Sequence, residues 1–126
     1  MKEEVLTEQA PQPIGPYSQA IKIKDTIFIS GQLPINAQTN VMPKSIQEQA
    51  TCCLENIKNI LEKSGFSMDN IVKTTIFMTC LEDFSVVNSI YGEYFKAPFP
   101  ARSTIQIAAL PKGAKIEIEA IAVMLK

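Results

Sequence analysis

The chain has 126 residues, 46% hydrophobic and 20% charged, with a formal net charge of −1. That fits one domain, residues 1–126, able to bury roughly two-thirds of its unfolded surface without disulfides, and it excludes both disorder and the basic excess of a nucleic-acid surface. Histidine is absent, which removes Ser-His and Cys-His catalytic pairs, every histidine metal ligand and the usual acid/base group near neutral pH.

The N-terminal Met1-Lys2-Glu3-Glu4-Val5 is acidic and lacks an apolar secretion segment, and no apolar run approaches the ~20 residues of a membrane span. A cytoplasmic setting without membrane contact is expected. Ala10-Pro11-Gln12-Pro13-Ile14-Gly15-Pro16 can be neither helix nor central strand. It should run extended over the surface into Tyr17. Ser18 to Ile23 and Thr26 to Ser30 read as a hairpin turning at Lys24-Asp25, ended by Gly31 and Pro34.

A helix follows, with Ile46, Ala50, Cys53, Leu54, Ile57, Ile60 and Leu61 on one stripe. Ser45 and Glu48 form a capping box, and Lys63 with Gly65 supplies the last turn. Ile71 to Thr79 is the next strand, parallel to the one before the crossover helix. A second helix runs from Asp83 to about Phe95 and is stopped by Pro98 and Pro100. Ser103 to Ala108 and Lys115 to Met124 complete the order β-β-α-β-α-β-β.

Two helices cover one face of such a sheet. The last strand is apolar on both, with Ile116, Ile118, Ala120, Ala122 and Met124 one way and Ile121 and Val123 the other. Only another subunit can cover the second face, so an obligate homo-oligomer is expected.

Several residues stand out. Glu119 is a carboxylate in an otherwise apolar run, which must be paired, hydrogen-bonded or raised in pKa; a structural salt bridge accounts for it equally well. Glu117 lies nearer the strand start and reads as solvated. Arg102 is the single arginine, a rigid fork suited to an anion, although an ordinary ion pair is the commoner use. Tyr17 can present a phenol to a cleft or be a buried structural tyrosine. Ser30 and Gly31 offer a hydroxyl and an approachable backbone, or simply a turn. Cys52, Cys53 and Cys80 lack C-x-x-C spacing, so no metal site is expected, and inert packing suits the first two.

The residues Ile14-Gly15-Pro16-Tyr17-Ser18-Gln19-Ala20, Ile29-Ser30-Gly31-Gln32, Ile71-Val72-Lys73-Thr74-Thr75, Val87-Asn88 with Tyr91, Phe99-Pro100-Ala101-Arg102-Ser103 and Lys115-Ile116-Glu117-Ile118-Glu119-Ala120 carry a resemblance over essentially the whole chain. It resembles the reactive intermediate deaminase A (RidA, or YjgF) family. The resemblance implies a chorismate-mutase-like α+β fold: a mixed sheet with two helices on one face, assembled as a homotrimer with clefts between subunits. It implies hydrolysis of 2-imino or enamine acids, such as 2-iminobutanoate and 2-iminopropanoate, released by pyridoxal-phosphate enzymes. Arg102 matches the carboxylate-binding arginine, Glu119 the acid that activates water, and Tyr17, Ser30, Gly31 and Thr104 positions lining the cleft. Asn88 matches a motif position of unassigned role. No cofactor or metal is implied.

Two departures matter: Thr104 stands where many relatives carry cysteine, and the segment between Phe95 and Phe99 is short. Two other readings are a module that binds a 2-keto acid without turnover, and an RNA-directed translation inhibitor or chaperone. The net charge of −1 gives RNA little support.

Overall fold

The computed structural model describes residues 1–124. Its elements are β1 (Glu3–Val5), β2 (Ala20–Ile23), β3 (Thr26–Gln32), α1 (Ile46–Lys63), β4 (Ile71–Met78), α2 (Phe84–Gly92), β5 (Ala101–Gln106) and β6 (Ile116–Val123). The strands form one mixed six-stranded sheet in the order β1-β2-β3-β6-β4-β5. Only β4 and β5 pair in parallel. Strands β3 and β4 are each antiparallel to β6, so they point the same way across it, as their helical crossover requires.

Ser45 caps α1 by accepting from the Glu48 N–H at 3.1 Å. The Glu48 carboxylate accepts a hydrogen bond from the Ser45 hydroxyl at 2.9 Å rather than from the backbone donor that a reciprocal capping box would give it. At the far end Gly65 adopts φ 78°. The Gly65 and Phe66 N–H groups then close onto the Glu62 and Leu61 carbonyls, a Schellman ending with Phe66 buried over it. Helix α1 packs on β3, β6 and α2. Its stripe Ala50, Cys53, Leu54, Ile57, Ile60 and Leu61 meets Ile76, Ile116, Ile118 and Ala122 in the core.

Several elements differ from the sequence reading: β2 starts at Ala20 rather than Ser18, β3 runs on through Gly31 to Gln32 instead of ending at Gly31, β5 spans Ala101–Gln106 rather than Ser103 to Ala108, and two differences are larger. Strand β1 was hidden because only Val5 of its three residues is buried; its pairing with β2 replaces any hydrophobic signal. Helix α2 stops at Gly92, Glu93 and Tyr94 follow it as a turn, and Phe95 beyond them is still in the core. Among the described residues, no helix is long and apolar enough to cross a membrane.

The second sheet face carries no helix. Phe28 and Ile105 are each 45% exposed there, with Phe77, Ile121 and Val123 partly so.

Ile57 is fully buried between α1 and the sheet. Ile57→Ala is expected to cost about 2–5 kcal/mol, measured as a lower urea midpoint at fixed protein concentration with unchanged m.

Candidate active site

The loops beside the sheet are held by buried side-chain amides. Gln19 accepts from the Thr7 N–H at 2.8 Å and donates to the Thr7 and Pro11 carbonyls. Asn56 on α1 donates to the carbonyls of Leu33 and Ile35, just past β3. Gln49 joins Pro43 to the Lys115 N–H at the entrance of β6. Each amide satisfies irregular backbone that no ladder reaches, and so fixes it.

Between Ile29 and Gln32, β3 carries an extra residue relative to β6. This bulge holds Ser30 and Gly31. The Ser30 hydroxyl is committed to the Ser18 carbonyl at 2.6 Å, and its N–H to the Gln19 carbonyl at 2.9 Å. Ser30 therefore fastens the Tyr17 loop to the sheet. Tyr17 is 54% exposed. Together with Gly31, Gln32, Ile14 and Lys112 it lines a cavity of about 810 Å³.

Arg102 opens β5 on the side that faces α2. Its Nη1 donates to Asn88 Oδ1 at 2.7 Å. Its guanidinium carbon lies 5.4 Å from the Phe84 ring centre and 4.9 Å from that of Tyr91, within cation–π range. Phe84, Asn88 and Tyr91 share one face of α2 at helical spacing. Tyr91 is itself fixed by a 2.8 Å hydrogen bond with Thr74. Among the described residues Arg102 has no carboxylate partner, whereas Lys96 and Asp69 form an ion pair. The ion-pair alternative thus finds no partner among those residues, and Asn88 gains a defined contact. Thr104 lies on the same side of β5, with its hydroxyl oxygen buried and lacking a hydrogen-bond partner.

Glu119 faces the other way. It pairs with Thr75 on β4 and lines a hollow of about 250 Å³ with Phe28, Lys73, Thr75 and Ile121. It is exposed in the single chain, so the expectation of a carboxylate forced by an apolar strand to be paired, hydrogen-bonded or raised in pKa is corrected: the open face leaves it to water. The roles of the two acids are exchanged. Glu117, read as solvated, is half-buried, and burial followed by the charge of Glu119 pushes its carboxyl above the ordinary value.

The chain therefore does not bring the seven candidate residues together. Tyr17, Ser30 and Gly31 form one cluster, with Glu119 one strand away. Arg102, Asn88 and Thr104 form another. Arg102 pairs with Thr74 and Thr74 with Ala120, the neighbour of Glu119. Two strand spacings, about 10 Å, separate the backbones, and the side chains leave opposite faces. Sequence reading missed Phe84 and Tyr91 as ring partners of Arg102, although their spacing around Asn88 was visible. Cys53 is buried and Cys52 half-buried, each thiol pushed up chiefly by burial, while Cys80 is exposed.

A sequence model of the family described as Endoribonuclease L-PSP matches residues 7–124. A RutC family protein of Pyrococcus horikoshii is 48% identical over 97% of this chain and 98% of its own. A 2-iminobutanoate/2-iminopropanoate deaminase of Dermatophagoides farinae is 44% identical over 98% and 97%. The crystal structure of Escherichia coli TdcF with bound serine superposes with a TM-score of 0.94 at 43% identity, covering 98% of this chain and 99% of that one. The chain belongs to this family, the RidA group of α+β proteins.

Because the Glu117 carboxyl binds its proton more tightly folded than unfolded, stability falls as pH rises from the ordinary glutamate value through the raised one. Glu117→Gln is expected to raise the thermal midpoint at about pH 8 and to give no gain near about pH 3, where both states are protonated. An equal shift at both pH values contradicts this.

Proposed function

We propose that this protein is a 2-iminobutanoate/2-iminopropanoate deaminase. It hydrolyses the reactive enamine and imine acids released by pyridoxal-phosphate enzymes to 2-keto acids and ammonia, in clefts between the subunits of a homotrimer. The observation that carries this reading is the state of Arg102. The single arginine is oriented by a neutral amide and two rings, and its charge is left for an anion.

A 2-imino acid supplies that anion as a carboxylate, which a guanidinium fork grips through two parallel N–H donors. Gly31 offers a backbone N–H at the bulge, and Tyr17 walls the cleft. Glu119, as carboxylate, takes a proton from the water that adds to C2. The Thr104 hydroxyl, unpartnered in the single chain, gains a partner when the cleft is filled.

Arg102 and Glu119 leave opposite faces of one sheet, so the cleft takes the arginine of one subunit and the glutamate of its neighbour. The apolar open face supports that assembly. Serine, named in the TdcF structure, carries a carboxylate and a nitrogen on adjacent carbons, like the proposed substrate. The substrate is already primed for hydrolysis, so positioning and one proton acceptor suffice without histidine. The net charge of −1 and the single arginine favour this over an RNA substrate.

Imines generated in place by a serine or threonine dehydratase provide the assay. Arg102→Ala is expected to lower kcat/KM by on the order of 100-fold with assembly intact. Glu119→Gln should reduce kcat by a similar order while ligand still binds. Wild-type rates in either variant would overturn the role assigned to it.

A further inference from the structure

We propose that Glu117 is a second acid–base group of this site: it carries the proton that goes to the substrate nitrogen, while Glu119 takes one from water. This rests on the deaminase reading above.

Three observations place Glu117 there. It stands two residues before Glu119 on β6, and strand alternation sends both side chains to the open face with Ile118 buried between them. Its side chain is folded over the bulge. A Cβ built on Gly31 would collide with Glu117 Oε1 and lie 2.7 Å from its Cδ. The carboxyl therefore occupies the space that a side chain at position 31 would need, against the backbone proposed to receive the substrate. Third, Glu117 has no hydrogen-bond or ion-pair partner among the described residues, although it is half-buried. A half-buried carboxyl without a cation, next to another carboxylate, favours its neutral form.

The titratable groups around Glu117 are Glu119 and Lys115 on β6, Lys73 further along the same face on β4, the buried Cys53 thiol of α1, and Lys112, which lines the cavity at Gly31. Strand β3 presents none.

The proton flow closes. Water attacks C2 and gives its proton to Glu119 as the C–O bond forms. The C=N π pair moves to nitrogen, which takes the Glu117 proton, leaving a carbinolamine. Glu119 then returns its proton to the amine as the C–N bond breaks and ammonia departs. Glu117 accepts the hydroxyl proton as C=O forms. Both groups end as they began, which is how paired carboxyls held at different proton affinities divide acid and base work.

The test is the pH dependence of kcat for the assembled wild type, Glu117→Gln and Glu117→Asp, with carbon-detected NMR titration of the side-chain carboxyls. Wild type should give a bell. Glu117→Gln should lose the descending limb and on the order of 10–100-fold in kcat. Glu117→Asp, which keeps a carboxyl, should keep that limb. A wild-type kcat and an unchanged descending limb in Glu117→Gln would overturn this role alone, as would Glu117 titrating in the ordinary carboxylate range. Wild type no faster than buffer would overturn the deaminase reading and this role with it.

Discussion

Side chains alternate across a β-strand, and everything functional here follows from where that alternation puts Arg102 and Glu119. Arg102 lies level with the buried Thr74 and turns toward α2. Glu119 lies level with Thr75 and turns to the uncovered face. A one-residue shift of either would reverse its face and expose its buried neighbours. The register is fixed by Ile76 and Ile118, which pair with each other and are fully buried under α1. The hydrophobic core thereby determines that one chain carries the two halves of the proposed site on opposite faces of the sheet.

Each half is rigid for its own reason. The arginine half depends on α2, whose Phe84, Asn88 and Tyr91 form a single contact surface. Charge is oriented there by a ring face and an amide oxygen, which leaves it uncompensated. The glutamate half depends on the bulge in β3 and on Gln19, which locks the preceding loop through buried hydrogen bonds. Bulges re-aim backbone near binding sites, and here the glycine is needed because a carboxyl fills the space beside it. A chain without histidine can therefore still offer a fixed cation, a backbone donor and two carboxyls, one of them half-buried with its proton affinity raised.

The helices and central strands were legible because periodicity and burial agree. The α1 stripe, its Ser45 cap and its glycine ending are all written in local residue types. The uncovered face was legible from Ile121 and Val123. Strand β1 was not, since pairing with β2 rather than apolar patterning defines it. Within the site, Arg102 and Glu119 were visible as anomalies, but their opposite faces depend on the pairing register of β5 with β4 and β4 with β6. Glu117 and Glu119 look alike in sequence; a bulge on a strand distant in sequence makes one half-buried and leaves the other exposed. The short segment before Phe99 bears on the rim of the proposed cleft, whereas Thr104 lies on the α2 side of β5 with its hydroxyl oxygen buried.

Subunit complementation tests the central claim that the cleft joins two chains. Arg102→Ala and Glu119→Gln chains, each carrying a different tag, would be coexpressed and the mixed oligomers purified for the imine assay. In a cyclic trimer, each mixed assembly has one cleft of three with both residues intact, so the purified mixed oligomers should show about a third of wild-type activity from two inactive parents. Mixed oligomers that form and stay as inactive as their parents would show that Arg102 and Glu119 of different subunits do not share a cleft.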